Sequence, residues 1–361
     1  MQELYHWHPV LQSTALSRTP VSVTLCGQDI VLFRSANGAL GALKDVCPHR
    51  RMRLSAGWVE GDRLVCPYHG WSYASNGTGH SPGTPKLRPW VQCFEVVERY
   101  GWVWLTAAGS TASFPAFERP GYYLACTLEH RFDAPLELVI DNFAEIEHAP
   151  TIHTFFGYAL AQSAAAQAQV DYSAEDCIRL LSNAPQRPLP WVLEKLFGVR
   201  RGDRFENRLE MRFSPVYNTY DISWIDQKTA APRPERLLSV FFFNPVTAER
   251  TQCVSFHYVA APRWGRAVFH LLQKHLLKWT LDHEVKRDKW VLERLATQQT
   301  DVAGMCLGRF DKLLVEHRRR IQRLYRGLPQ PSNLPGARAS GALPQQARPL
   351  HSQEEVSALL A

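Results

Sequence analysis

Short apolar runs separated by turn residues open the chain. VSVTLCG and DIVLFR, between 21 and 34, are rich in β-branched and aromatic residues, and SANG before ALGALKDV carries a hairpin signal. NGTGHSPGTP (76–85) reads as a turn-rich loop and CFEVVERYGWVWL (93–105) as two further strands. This pattern predicts an all-β module over residues 1–110, with two loops bearing Cys and His at one end. Around 106–120 the composition turns to Ala, Ser, Thr, Gly and Pro, which marks a domain boundary. Beyond it the period lengthens. LELVIDNFAEIEH (136–148) has helical spacing, and the helix is expected to end at Ala149, because the residue before Pro150 is biased away from the α region. Residues 205–225 and 236–260 read as strands of a second sheet, and 264–299 and 309–326 as helices. From Gly327 the chain is rich in Pro, Gly, Ser, Gln and Ala, so 327–361 is expected to be a disordered tail with at most a short helix in EEVSALLA. The fold class is α+β: a β domain (1–110), then a domain of antiparallel sheet packed by helices (111–326), then the tail.

Composition adds bounds. A chain of 361 residues suggests two domains, and 11 Trp, 17 Phe and 12 Tyr can fill a substantial core. The opening MQELYHWHPV lacks a basic-then-apolar signal pattern, and no apolar run is long enough to span a bilayer, so a cytoplasmic protein is expected. Of eight cysteines, Cys26, Cys93, Cys126, Cys177, Cys253 and Cys306 are scattered without motif spacing, which suits free thiols in a reducing compartment. The formal charge is +7, with local clusters at 318–320 and at Arg50, Arg51 and Arg53. A solvated basic surface accounts for this without nucleic acid; the sharper reading is a docking face for an acidic redox partner.

The other two cysteines lie in CPHRRMRLSAGWVEGDRLVCPYHG (47–70). The order is Cys-x-His, sixteen residues, Cys-x-x-His. Structural zinc wants four tetrahedral S and N ligands, whereas a Rieske cluster wants two thiolates on one iron and two imidazoles on the other. Zinc modules group like ligands within one knuckle. Here each loop contributes one Cys and one His, which favours the cluster. Each cysteine is followed by Pro, which fixes the turn, and Gly70 lets the backbone approach closely. CPHR followed by CPYHGW resembles the motif of the Rieske non-heme iron oxygenases. The resemblance implies a [2Fe–2S] cluster with Cys47 and Cys66 on one iron and His49 and His69 on its neighbour. Tyr68 and Trp71 are expected simply to pack beside it.

A cluster alone moves single electrons and needs little more than the first hundred residues. DNFAEIEHAPTIH (141–153) suggests what the rest does. His148 and His153 are five apart, and Glu145, three before His148, would share one helical face with it. Two histidines and one carboxylate with open positions form the facial triad of O2-activating Fe(II) sites. Asn142, Glu145, His148 and His153 are similar to the mononuclear iron motif of the same family, whose third ligand is a distant aspartate on a C-terminal helix. In VKRDKWVLERL that candidate is Asp288. Leu277, Leu281, Val285, Val291 or Leu292, and Leu295 make an apolar stripe that contains Asp288, and a carboxylate on a buried face needs a metal or a partner. Asp282 and Glu284 fall off the stripe and are expected in solvent. The resemblance further implies that Glu145, usually Asp, bridges from His69 of a neighbouring subunit to His148. Branches that act on quaternary ammonium compounds share the Glu. Asn142 lies near the iron in the analogy, with a helix-surface amide as the plain alternative.

The resemblance covers about residues 1–326 and implies a helix-grip-like catalytic domain, a mononuclear Fe(II), O2 and a small organic substrate. No GxGxxG opens a βαβ unit, so an NAD(P)H-dependent reductase or ferredoxin is expected as a separate partner. Contact between the cluster face of one chain and the catalytic face of the next closes a ring, and a homotrimer is expected. Length and the spacing from Asp288 to Glu293 look more like the monooxygenase and demethylase branches than ring-dihydroxylating dioxygenases. Phe155, Phe156, Tyr158, Leu160 and the run 241–243 suggest either an apolar pocket or ordinary core. Two other readings stay open: an electron carrier with a non-catalytic second domain, and a zinc-stabilised binding protein.

Overall fold

The structure, a computed structural model, describes residues 2–260 and 267–328. The tail beyond 328, with its expected short helix, lies outside them, as does the start of the long helix expected at 264. Among the described residues no helix is long and apolar enough to cross a membrane.

The first hundred residues form three small antiparallel sheets. β1 (His8–Gln12) pairs with β10 (Trp102–Ala107), which pairs with β9 (Phe94–Arg99). β2 (Val21–Leu25), β3 (Gln28–Arg34) and β4 (Leu40–Lys44) form a meander. The third sheet runs β5 (Trp58–Glu60), β6 (Arg63–Val65), β7 (Ser72–Tyr73) and β8 (Gly79–His80). Leu25, Ile30, Leu32, Val103 and Leu105 close one core between these strands, and Phe33, Leu43, Leu64 and Tyr73 close a second around Cys47 and Cys66.

A seven-stranded antiparallel sheet follows, in the order β11 (Tyr122–Phe132), β17 (Arg250–Ala260), β16 (Pro232–Thr247), β15 (Val216–Ile225), β14 (Arg204–Phe213), β13 (Cys177–Pro185) and β12 (Gln167–Asp171). Both faces of its centre are covered, which explains the unbroken apolar run in β16. Successive strand residues point to opposite faces. Leu238, Val240 and Phe242 join an aromatic core with Trp102, Trp104 and Phe256, while Phe241 and Phe243 face the helices. Phe117, from the low-complexity stretch expected to be a boundary, is buried in that aromatic core, and residues 1–328 form one compact unit.

The helices are α1 (Leu136–Ala144), α2 (Ala149–Ile152), α3 (Trp191–Phe197), α4 (Ala267–Leu292) and α5 (Lys312–Arg320), the last continuing into a π turn over Ile321–Tyr325. The expected helix over 136–148 is thus two pieces. α1 stops at Ala144, where Glu145 turns to extended backbone (φ −99°, ψ 162°), and Pro150 sits in the first turn of α2, where its missing N–H costs nothing. Glu145 and His148 therefore do not share a helical face.

The cluster at 318–320 is not a solvated surface. Arg318 and Arg320 are buried. Arg318 and His317 bind Asp141 of α1, and Arg320 binds Glu316 and the carbonyls of Cys177 and Tyr172. Arg326 closes on Glu137. The C-terminal helix thus clamps α1 against the sheet through ion pairs as well as through Leu313, Ile321 and Tyr325.

Candidate metal centres

The two Cys/His loops share one backbone design. In the first, Cys47 N–H donates to Met52 O and Arg51 N–H to Cys47 O; in the second, Cys66 N–H donates to Trp71 O and Gly70 N–H to Cys66 O. The fourth residue after each cysteine takes positive φ, +60° at Arg51 and +70° at Gly70. Glycine meets that geometry without strain, whereas an arginine is unusual there. Both cysteines are 1 % exposed, while His49 and His69 are on the surface. Their imidazole centroids are 4.5 Å apart, and Trp71 stacks on His49 at 4.4 Å and 4°. Tyr68 lies against His69 with its ring under Arg50, and Tyr73 Oη is 3.2 Å from Cys47 Sγ. Burial, and the neighbouring Cys47 thiol, push the Cys66 thiol up. Partial loss of hydration, with His49 and Arg50 nearby, lowers His69 and keeps it the neutral imidazole that binds metal. Two inward thiols and two outward imidazoles fit a cluster whose irons have different ligands, and the tetrahedral zinc alternative leaves that segregation unexplained.

The second centre is built where α1 ends. Glu145 turns its carboxylate back over residues 146–148, accepting from the backbone N–H groups of Glu147 and His148 and from His148 Nδ1. With Nδ1 engaged, His148 Nε2 faces His153 Nε2 at 3.2 Å and Asp288 Oδ1 at 3.4 Å, and His153 Nε2 is 3.1 Å from the same oxygen. These three donors make a triangle with sides near those of a six-coordinate ion's face, about 3 Å when ligand bonds are roughly 2.1 Å at right angles. Charge tells the same story. Burial opposes a proton on His148, yet hydrogen bonds to Asp288 and Glu145 outweigh it and raise the imidazole to about 10. Asp288 is itself buried, which favours its neutral form, but His153 and His148 hold its carboxyl well below the usual range. The pocket is organised around positive charge, which a divalent cation held by His148, His153 and Asp288 would supply in place of the proton. His148, His153 and Asp288 fit a mononuclear iron.

Sequence reasoning missed two residues that hold this loop. Glu284 is 4 % exposed, not solvated, and accepts from the N–H groups of Thr154 (2.9 Å) and Phe155 (2.6 Å), directly after His153. The signal was present: Glu284 is seven residues after Leu277 and four before Asp288, on the same face of α4. Asp282 is partly buried and pairs with His130 and Lys286. Arg187 donates to the carbonyls of Ala149, His153 and Tyr158 from the opposite side of the loop. Nothing in its sequence neighbourhood points to this, because its partners are backbone atoms. Leu295, placed on the stripe, lies beyond the end of α4 and is exposed.

The triad opens into a cavity of about 140 Å³ between the sheet and the helices. Phe156, Tyr158 and Phe241 line it, whereas Phe155 packs on Trp279 and Leu160 is 62 % exposed. Asn142 also lines it, with a buried Oδ1 that has no hydrogen-bond partner, so it is not a surface amide.

The two regions that carry these centres each match a known domain. Residues 6–97 match the Rieske [2Fe-2S] domain, and residues 132–327 match the vanillate O-demethylase oxygenase C-terminal domain. The chain is 27% identical to a 4beta-methylsterol monooxygenase of Methylococcus capsulatus over 80% of its length and 79% of that protein's. It is 32% identical to the oxygenase component of dicamba O-demethylase from Stenotrophomonas maltophilia, over 41% of this chain and 46% of that one. The fold is that of dicamba monooxygenase bound to dicamba, with a TM-score of 0.74 at 20% identity, covering 90% of this chain and 98% of the other. With one segment that matches the Rieske [2Fe-2S] domain and another, more than half of the chain, that matches an oxygenase domain, the chain belongs to the Rieske non-heme iron oxygenases.

Proposed function

We propose that this chain is a terminal oxygenase that hydroxylates or oxidatively demethylates an apolar or aromatic small molecule, using O2 and electrons from a separate NAD(P)H-dependent reductase or ferredoxin. The observation that carries it is the convergence of His148, His153 and Asp288 at the wall of an apolar cavity. When bound, the cluster held by Cys47, His49, Cys66 and His69 supplies single electrons, and the iron supplies O2 activation. The chain's own residues do the rest. Glu145 fixes the His148 ring by holding its Nδ1 proton, which leaves Nε2 for the metal. Glu284 and Arg187 hold the loop that carries His153. Phe156, Phe241 and Val285 keep the site dry, which strengthens every charge interaction within it. Asn142 offers an unpartnered amide oxygen to a donor in the cavity. In a homotrimer, exposed His69 of one chain would meet the Glu145 carboxylate of the next, whose oxygens retain lone pairs beyond the bonds they make within the chain.

The methylsterol and dicamba enzymes, a monooxygenase and a demethylase by name, support monooxygenation over dihydroxylation. The test is a single turnover. The protein is reduced chemically, freed of reductant and given labelled O2 with methylated amines and ethers, aromatic compounds and polycyclic lipids. One labelled oxygen in product, or loss of a methyl, is expected, with three irons per chain. Two labelled oxygens would make it a dioxygenase, and two irons per chain with no product would make it an electron carrier.

A further inference from the structure

The sheet wall of the cavity holds two polar side chains, each with an atom that no described residue satisfies. Ser182 on β13 is 2 % exposed and Asn207 on β14 is 5 % exposed; both line the cavity, and Ser182 Oγ and Asn207 Oδ1 are buried without a hydrogen-bond partner. They are directly paired across the two strands, so both project from the same face at neighbouring positions. Around them the wall is mostly apolar, with Phe205, Leu209 and Ile222, and its other short polar side chains, Asn183 and Ser239, are bonded to Arg204 and His257. Leaving two adjacent polar groups unpaired in an apolar wall is costly, and apolar residues would pack there more stably. Such a pair persists when a ligand completes it.

The charges of the cavity restrict that ligand. Its ionisable lining residues other than the two histidines and Tyr158 and Tyr220 are Glu145, Glu284 and Asp288, and among the described residues no lysine or arginine lines it. Arg187 is turned to backbone carbonyls behind the loop, and Arg204 to Asn183. A divalent ion at the triad is balanced by Asp288 and Glu145. A substrate carboxylate would enter a largely apolar space with no lysine or arginine to meet it.

We propose that Ser182 and Asn207 anchor the substrate, and that the substrate is an uncharged apolar molecule carrying a hydroxyl group. A hydroxyl donates to Asn207 Oδ1 and accepts from Ser182 Oγ–H, completing both residues at once. A ketone or ether only accepts and leaves Asn207 Oδ1 unpaired. The inference rests on the oxygenase reading and narrows its substrate class.

The experiment uses the holoenzyme and matched probes at three sizes: 4-methoxybenzyl alcohol, 4-methoxybenzoate and 4-methylanisole; 2-naphthylmethanol, 2-naphthoate and 2-methylnaphthalene; a 3-hydroxysteroid, its 3-sulfate and the 3-deoxy steroid. Binding is read by calorimetry. In at least one set the alcohol is expected to bind about tenfold tighter than the hydrocarbon, and the anion weakest. Asn207→Leu and Ser182→Ala should each abolish the preference for the alcohol while leaving the hydrocarbon's affinity in place, and should raise Tm, since each removes an unpaired buried group. A merely structural role would lower Tm. Tightest binding of an anion, no preference for the alcohol at any size, no binding at all, or variants that retain the preference would overturn the proposal. Iron content of the same protein separates the two readings: three irons per chain with an anion preferred overturns this inference alone, whereas two irons per chain overturns the oxygenase reading beneath it.

Discussion

The two centres solve opposite problems with similar ligands. At residues 47–71 short loops tip two imidazoles outward and bury two thiols, so charge can enter from the surface without substrate reaching the sulfurs. At 145–153 and 288 the ligands face a cavity lined by Phe156, Phe241 and Val285. The first is held by short backbone turns, closed at Arg51 and Gly70 by residues with positive φ. The second is held by side chains from distant elements, with Glu284 of α4 and Arg187 tying down one loop. An electron port needs exposure and rigidity, whereas an oxygenation site needs a dry wall and room for substrate. The sharpest test of this division is a pair of substitutions. Cys66→Ser should abolish the red-brown colour and two irons while the third remains. Asp288→Ala should remove that third iron and all turnover while the cluster spectrum is unchanged. Metal analysis and absorption spectra of both proteins check this, and loss of all three irons from either variant would show the centres to be one folding unit.

How legible each centre was follows the same contrast. The loops at 47–70 were readable because their ligands are local: Cys, Pro, His and Gly at fixed spacing say nearly everything about the backbone that carries them. The pair His148 and His153 was readable for the same reason, and Asp288 because a carboxylate on an apolar stripe demands a partner. The end of α1 was misplaced because Pro150 was read as a stop, although proline is well tolerated in a first turn. The run at 318–320 was misread because charge density in sequence does not reveal that Asp141 and Glu316 await two of those guanidiniums. Arg187, Ser182 and Asn207 left no mark, since their roles rest on where the sheet places them. Assignment of β16 succeeded, but the alternation that sends Phe242 to one core and Phe241 and Phe243 to another appears only once both faces of the sheet are seen to be covered.

Glu145 is where the two centres would communicate. Glu145→Gln keeps the shape and removes the charge that orients His148. It is expected to retain the cluster and to slow turnover about 10- to 100-fold. Stopped-flow oxidation of the reduced cluster in the presence of O2 measures the step directly, and an unchanged rate would remove Glu145 from the path between centres.

Glu284 sharpens the comparison from the catalytic side alone. Glu284→Ala strips the Thr154 and Phe155 N–H groups of their acceptor in a buried place. The cost should be about 2–4 kcal/mol of stability, with weaker retention of the third iron and an intact cluster. Glu284→Gln keeps an acceptor and should recover much of both. Chemical denaturation with parallel iron analysis separates these outcomes, and a variant with full stability would mean the loop after His153 holds itself.

The smallest effect concerns the joint between the two regions. His8 of β1 is fully buried and bonds Asn244 of the large sheet at 3.0 Å and Glu3 O at 2.9 Å. Burial lowers it to about 4, and burial lowers His257, which bonds Ser239 and Ser255 inside the sheet, to about 3. Both are neutral in the folded chain, while the unfolded chain takes up protons below its ordinary histidine value of about 6.5. Stability from these groups is therefore complete above that value and is lost as pH falls through it, by about 1 kcal/mol per histidine at pH 5.5. His8→Gln should remove its own share of this acid sensitivity and leave that of His257, so the difference in unfolding free energy between wild type and variant should change by about that amount between pH 7 and 5.5. A difference that stays constant over the same range would mean that His8 takes up its proton between Asn244 and the Glu3 carbonyl as readily as in the unfolded chain.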